Sequence, residues 1–146
     1  MYFEDLPQGT RFDTASRTLS REDIVSFAQE WDAQPFHVDA EAAKSSPYGQ
    51  IIASGFHTIL VAFNLVLDAS DWSDSSMGSP GMSEVRWLAP VYPGDTLRVS
   101  ALVDKATPSR SKTDRGFVDI SYEIFNQNDA LVASYRATHM LRRRGA

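Results

Sequence analysis

The sequence has no cysteine among its 146 residues. This absence excludes a disulfide, a thiolate nucleophile and a thiolate metal site, and it is compatible with a reducing compartment. The chain also has no apolar run of about 18 residues, the length that a membrane helix needs. Its first residues, MYFEDLPQGTRF, lack the basic segment and apolar core of a signal peptide. We therefore expect no membrane partner and a cytoplasmic location.

Positive charge is also scarce, with 14 Lys and Arg against 19 Asp and Glu and a formal net charge of −5. A broad surface that tracks nucleic-acid phosphates needs the opposite balance, so we expect no nucleic-acid partner. The local exception is the run Arg142, Arg143 and Arg144, which the pattern predicts to be a solvated tail after a strand.

Histidine is sparse as well, with three in the chain. The closest pair, His37 and His57, lacks the short spacing that is typical of zinc sites. We therefore expect no metal ion, and we expect no cofactor. The remaining composition, 42% hydrophobic and 23% charged, is that of an ordinary globular protein. At this length, residues 1–146 are expected to form a single domain.

Three helices are predicted in the first half of the chain. Ser20 is a capping residue ahead of an apolar face at helical spacing, which predicts a surface helix over residues 20–32. Asp39 is the expected N-cap of a short helix in AEAAKSS. The third segment, SGFHTILVAFNLVLDAS, is apolar on nearly every side and predicts a buried helix over residues 56–68.

In the second half of the chain, apolar residues recur at every second position, which is the period of a strand. Residues 68–81 are rich in Ser, Asp, Gly and Pro and predict a loop, in which Trp72 and Met77 are the residues that could cover another part of the protein. Four β-rich runs follow, MSEVRWLAPVY, DTLRVSALVDKA, GFVDISYEIFN and ALVASYRATHML, and the earlier GTRFDTASRTLS can supply a further strand. The order of elements predicts an α+β fold, with an antiparallel sheet packed on the buried helix.

One short stretch, WDAQPFHVD, places Asp32 and His37 five positions apart. Neither a helix nor a strand brings side chains at that spacing together. Pro35 excludes both structures, because it lacks an N–H and pushes Gln34 out of the α region. The chain must therefore bend, and the bend can aim the two titratable groups at one spot.

Two longer stretches, WDAQPFHVDAEAAKSSPYGQIIASGFHT and VRWLAPVYPGDTL, resemble the MaoC-like dehydratases and (R)-specific enoyl-CoA hydratases of the hotdog fold. The similarity covers roughly residues 3–142. It implies a curved antiparallel sheet wrapped around one long central helix, and a homodimer or a higher even oligomer. It also implies that the chain hydrates an acyl-CoA thioester or dehydrates its 3-hydroxyacyl counterpart.

The resemblance also implies roles for individual residues. Asp32 and His37 match the catalytic pair of the family, and Gly55 matches the glycine whose N–H faces the thioester oxygen. The expected substrate-binding residues are Gln34, Tyr48, Ser54 and His57. Two of these depart from the family pattern, because Gln34 replaces the common Asn and Ser54 replaces the common His.

Simpler structural roles stay open for several of these residues. Packing also explains His57 and His139, and an N-cap role explains Asp39 fully. Tyr48 either lines a tunnel mouth or packs in the ordinary way. The sequence does not tell which of Asp32 and His37 is the base, and it leaves the chain length and carrier of the acyl group open.

Three functions remain open, each from a different class of protein. The first is a lyase acting on acyl thioesters. The second is a hotdog thioesterase, which is disfavoured because such enzymes commonly place a carboxylate on the central helix, and residues 56–67 contain none. The third is a non-catalytic module that binds acyl-CoA, which the departures at Gln34 and Ser54 keep open. Fold alone does not choose among them.

Overall fold

The computed structural model describes residues 1–146 and contains four α-helices and six strands. A single 3-10 turn, Phe3–Asp5, opens the chain. The helices are α1 (Arg21–Trp31), α2 (Pro35–Val38), α3 (Ala40–Lys44) and α4 (Gly55–Ser70). The strands are β1 (Arg11–Asp13), β2 (Arg17–Thr18), β3 (Gly81–Trp87), β4 (Thr96–Pro108), β5 (Arg115–Phe125) and β6 (Leu131–Arg142).

The strands form one antiparallel sheet in the order β1, β4, β5, β6, β3, and β2 adds a short pairing with β4. Buried residues alternate with more exposed ones along β4, β5 and β6, as the period of two predicts. The buried side of the sheet packs on α4 and encloses the core. This is the predicted α+β hotdog fold, a curved sheet wrapped around a long central helix.

The central helix differs from its prediction in one respect. Its buried face carries Thr58, Val61, Ala62, Leu65, Val66 and Ser70, but Phe56, Leu60, Phe63 and Leu67 form an exposed apolar stripe on the other side. The prediction that the helix is buried all round is therefore wrong for a single copy of the chain. The physical reason is that the sheet covers only one side of the helix. The helix also begins at Gly55 and continues to Ser70, slightly beyond the predicted 56–68.

The segment predicted as a loop, residues 68–81, is a loop only after the end of α4. Trp72 is buried and packs against the ring of His139, with 4.6 Å between ring centroids. The N–H of Met77 donates to the carbonyl of Met140 at 2.9 Å. Trp72 thus covers another part of the protein, the core, as the sequence predicted it could.

The predicted strands are present with changed limits. GTRFDTASRTLS forms the two short strands β1 and β2, and the strand predicted in MSEVRWLAPVY ends at Trp87. None of the helices combines the length and the apolar character that crossing a membrane requires.

The arginine run lies at the end of β6 and at the surface, as predicted, and Arg142 and Arg144 are exposed. Arg143 forms an ion pair with Glu4 at 3.3 Å, and Arg144 forms one with Asp5 at 2.7 Å. The guanidinium of Arg143 also lies 5.9 Å from the centre of the Phe3 ring. The sequence did not predict these ion pairs, because the acidic partners are distant in sequence and approach only in the folded chain.

Candidate active site

The bend between α1 and α2 brings Asp32 and His37 together. Asp32 ends α1, and its N–H donates to the carbonyl of Ala28 at 2.8 Å. Gln34 is extended, with φ −75° and ψ 145°, as expected for a residue before proline. Pro35 then occupies the first turn of α2, where its missing N–H has no cost. The predicted bend is confirmed, and it ends in a helical turn that carries His37.

The two titratable groups face each other directly. His37 Nε2 lies 3.3 Å from Asp32 Oδ2. The other ring nitrogen, Nδ1, lies 2.6 Å from the carbonyl oxygen of Ile52. Because a carbonyl only accepts hydrogen bonds, Nδ1 carries the proton. His37 Nε2 is therefore the atom that can take up or release a proton, and a carboxylate stands beside it.

The carboxylate of Asp32 is held on both oxygens. Gln34 Nε2 donates to Oδ1 at 2.7 Å, and Ser54 Oγ donates to Oδ2 at 2.7 Å. Burial acts to raise the pKa of Asp32, but the hydrogen bonds from Ser54 and Gln34 and the charge of His37 outweigh it and lower the pKa below its usual value. Asp32 is thus kept ionised beside the imidazole.

The first turn of α4 supplies the third part of the site. Ser54 is its N-cap and accepts a hydrogen bond from the N–H of Phe56 at 3.2 Å, while its hydroxyl donates to Asp32. Gly55 is the first helical residue, so its N–H has no partner within the helix. That N–H lies at the positive end of the dipole of a 16-residue helix. The position suits the stabilisation of a developing negative charge.

A cavity of about 460 Å³ joins these groups. Its polar lining comes from Asp32, Gln34, His37, Tyr48 and Thr58, and the backbone of Gly55 contributes as well. Its apolar walls include Phe36, Ile52, Phe56, Trp87, Leu88 and Val132. Tyr48 lies at the exposed side of the cavity, is 38% exposed and packs against Phe36. The alternative that Tyr48 lines a mouth is thus compatible with its place in the structure.

Other predicted site residues lie outside this cavity. His57 stacks on Phe27, with 4.5 Å between ring centroids, and burial lowers its pKa. The structure therefore places the His57 ring against α1 instead of with Asp32 and His37. Ser54 does not line the cavity either, but it contacts Asp32.

Asp39 and His139, for which the sequence offers a purely structural role, make contacts of that kind. The Asp39 carboxylate accepts hydrogen bonds from the N–H groups of Glu41 and Ala42 at 3.0 and 3.2 Å, so it caps α3 as predicted. His139 is buried against Trp72 and lies 2.7 Å from the hydroxyl of Tyr122. No group of three or more His, Cys, Asp or Glu side chains is arranged to hold a metal ion.

Sequence reasoning missed Trp87, which lies at the end of β3 and lines the cavity. A Cβ atom on Gly55 would collide with the indole ring of Trp87. Gly55 is therefore glycine because an aromatic ring occupies the space beside it. Gly55 and Trp87 stand 32 positions apart, so no local pattern could show the contact. The only signal in the sequence was that Gly55 lies in one of the two motifs of the resemblance and Trp87 lies in the other.

Comparison with known proteins identifies the family of the chain. The family model of the MaoC-like domain matches residues 4–123. A solved structure of a MaoC-like dehydratase from Rhodospirillum rubrum has a TM-score of 0.92 and 35% identity, covering 100% of this chain and 99% of that one. The uncharacterized protein YdeM of Bacillus subtilis is 29% identical over 98% of this chain and 100% of its own length.

A third relative is named for a reaction. The mesaconyl-CoA hydratase of Cereibacter sphaeroides is 37% identical over 87 residues, which are 58% of this chain and 25% of that protein. The aligned part is therefore a quarter of a much longer enzyme.

Proposed function

The chain belongs to the MaoC-like domain family, and we propose that it is a lyase that adds water to 2-enoyl thioesters and removes it from 3-hydroxyacyl thioesters. The observation that carries this proposal is the pair Asp32 and His37, 3.3 Å apart in a cavity that also contains Gly55. The resemblance to (R)-specific enoyl-CoA hydratases suggests CoA as the carrier and the (R) product as the stereochemistry.

The proposed hydration uses the pair as one proton-transfer unit. A water molecule in the cavity, in contact with both side chains, attacks C3 of the enoyl group, and its proton passes to His37 Nε2. His37 is the better base because its Nδ1 is committed to Ile52, whereas the lowered pKa of Asp32 makes that carboxylate a weak base. Asp32 orients the water and stabilises the imidazolium that forms.

The second half of the reaction concerns the thioester. Attack at C3 moves an electron pair onto the carbonyl oxygen, where the N–H of Gly55 and the positive end of α4 can stabilise the charge. The imidazolium of His37 then returns the proton to C2. The hydroxyl ends on C3 and the hydrogen on C2, so the atoms of one water molecule are accounted for, and His37 is neutral again.

The departures from the family pattern support the lyase over a non-catalytic module. Gln34 and Ser54 each donate a hydrogen bond to Asp32, one to each carboxylate oxygen. Both replacements therefore keep the carboxylate ionised and oriented, and neither disables it. We propose Gln34 as a residue that holds Asp32 at the edge of the substrate cavity.

A thioesterase is the second candidate, and the structure does not favour it. The only carboxylate on α4 is Asp68, which is exposed in the last turn of the helix and does not line the cavity. The central helix thus places no carboxylate in the cavity.

The test of the proposed function is the loss of the enoyl-thioester absorbance band when the purified protein is mixed with crotonyl-, hexenoyl- or decenoyl-CoA. We expect the band to decay with at least one chain length, and we expect Asp32→Asn to abolish most of that decay. Absence of decay with all three thioesters, and with the same acyl groups on an acyl carrier protein, would reject the lyase and favour a binding module.

We also propose that a second copy of the chain covers the exposed stripe of α4 and the free edge of β3. Leu60, Phe63 and Leu67 of that stripe line one groove together with the exposed Met82 of β3. An apolar face beside an unpaired strand edge is a surface that homodimers commonly bury. Sedimentation should give a dimer or a higher even oligomer, and a concentration-independent species of 16.2 kDa would contradict this proposal.

A further inference from the structure

The contact between Trp87 and Gly55 brings two N–H donors to one place. Of the indole atoms, Nε1 comes nearest to the point where a Cβ of Gly55 would stand. The backbone N of Gly55 is bonded to the same Cα that would carry that Cβ. The atom Nε1 of Trp87 and the backbone N of Gly55 are therefore close together at the first turn of α4.

Neither donor has a partner in the protein. The N–H of Gly55 precedes the first hydrogen bond of α4, and no backbone or side-chain acceptor contacts it. Trp87 Nε1 likewise has no protein acceptor, and the Trp87 side chain is 50% exposed at the wall of the cavity that contains Asp32 and His37. An oxygen that carries negative charge is the partner that two such free donors would stabilise at the N-terminus of a helix, beside the cavity.

The position of the indole is fixed from two sides. Trp87 is the last residue of β3, and it is paired with Ala133 of β6. Its ring also packs edge-on against Phe56, with 5.8 Å between ring centroids and 66° between the planes. A donor that is held in place before the reaction contributes more to charge stabilisation than one that must first be ordered.

We propose that Trp87 Nε1–H is the second donor to the thioester oxygen, acting together with the N–H of Gly55. This inference rests on the proposed function, because it assigns a role in the same reaction. Both donors would bind the carbonyl oxygen of the substrate and strengthen their hydrogen bonds as charge moves onto it. Gly55 is then needed for two reasons: it supplies one donor, and it leaves room for the other.

The direct test replaces the indole by a ring of similar shape without the N–H. Trp87→Phe should lower kcat by about 10², within the usual range for loss of one oxyanion donor, and should change KM by less than about threefold. Trp31→Phe is the matched control, because Trp31 is 69% exposed and does not line the cavity. We expect it to keep the wild-type kcat.

A second variant approaches the same contact from the other side. Gly55→Ala keeps its own backbone N–H, but its methyl group must displace the indole. We expect it to lower kcat about as much as Trp87→Phe, and we expect the double variant to be little worse than either. If Trp87→Phe does not fold, Trp87→Leu, which also lacks the N–H, takes its place in the test.

A spectroscopic measurement separates this inference from the proposed function. Binding of 4-dimethylaminocinnamoyl-CoA reports donors at its thioester oxygen through a red shift of its absorbance band, whether or not hydration follows. The wild type should give a red shift that is clearly smaller in Trp87→Phe and unchanged in Trp31→Phe. If the wild type hydrates enoyl thioesters, and Trp87→Phe keeps both the kcat and the red shift of the wild type, the inference is overturned while the proposed function stands. A wild type that shows the red shift but hydrates nothing would overturn the proposed function, and equal shifts in all three proteins would still reject the role of Trp87.

Discussion

The molecule contains two buried histidines, His37 and His139, whose surroundings differ completely. They are 4% and 9% exposed, so burial does not distinguish them. His37 Nε2 faces the carboxylate of Asp32 at 3.3 Å and opens onto the cavity. His139 Nε2 faces the hydroxyl of Tyr122 at 2.7 Å, and its ring packs against Trp72.

The partner of each histidine decides what it can do. Burial lowers the pKa of His139 to about 4, and the charge of Asp119 offsets this only in part. Burial also raises the pKa of Tyr122. The pair His139 and Tyr122 is therefore uncharged near neutral pH and forms a structural hydrogen bond in the core. The pair Asp32 and His37 combines an ionised carboxylate with a free ring nitrogen, which is what proton transfer to a bound water requires.

The largest expected effect comes from breaking the first pair. Asp32→Asn keeps the shape of the side chain and removes its charge, so kcat should fall by about 10²–10⁴ with little change in stability. His37→Ala should lower kcat to a similar extent. The measurement is steady-state hydration of an enoyl thioester by protein whose fold is verified by circular dichroism.

The matched control lies in the second pair. His139→Gln keeps a polar partner for Tyr122 and should leave kcat within about twofold of the wild type. Full hydration activity in folded Asp32→Asn and His37→Ala, or a large loss in His139→Gln, would reverse the roles assigned to the two histidines.

The next effect concerns the dependence of stability on pH. The pKa of His139 in the folded chain, about 4, lies below its ordinary value of 6.5. Between these two values the unfolded chain binds the proton and the folded chain does not, so stability falls as the pH falls. The contribution of His139 is at most roughly 3 kcal/mol over that window.

Denaturant unfolding at a series of pH values measures this contribution. The wild type should lose more stability than His139→Gln between pH 6.5 and about 4. Burial also lowers the pKa of His57, so His57 likewise makes stability fall as the pH falls. Both proteins contain His57, so comparing them removes its contribution. Parallel curves for the two proteins would show that His139 is not held neutral in the core.

A smaller effect sharpens the description of Asp32. Ser54→Ala removes a hydrogen bond that lowers the pKa of Asp32, so that pKa should rise. The titration of the Asp32 carboxyl group, followed by NMR, should then move to higher pH. Loss of the N-cap should also lower the stability by about 0.5–2 kcal/mol. Ser54→Thr, which keeps the hydroxyl, is the control and should titrate Asp32 as in the wild type.

The smallest effect is expected at Asp39, which lies only two residues from His37 but caps α3. Asp39→Ala should lower the free energy of unfolding by about 0.5–2 kcal/mol and leave kcat unchanged. Thermal unfolding and the hydration assay measure the two quantities separately. A large loss of kcat in folded Asp39→Ala would add a second carboxylate to the catalytic unit.

The comparison also shows which contacts a sequence can predict. Asp32 and His37 were predictable because Pro35 makes the bend between them a local event. The N-cap of Asp39 was predictable for the same reason. The fold followed from the change between helical and strand periodicity and from the resemblance of two long motifs.

Contacts between distant segments could not be predicted in this way. The indole of Trp87 against Gly55, the stacking of His57 on Phe27 and the ion pairs of Arg143 and Arg144 all join residues that only the folded chain brings together. The exposed stripe of α4 has a similar origin, because periodicity shows that a face is apolar but not which element covers it.

The central claim is that Asp32 and His37 act as one proton-transfer unit, and a double-mutant cycle tests it most directly. The kcat of Asp32→Asn, His37→Ala and the double variant is measured with the enoyl thioester that the wild type hydrates fastest. If the two side chains share one water, each single variant should lose almost all of the effect, and the double variant should be at most about tenfold slower than either. Two independent losses that multiply in the double variant would contradict the claim.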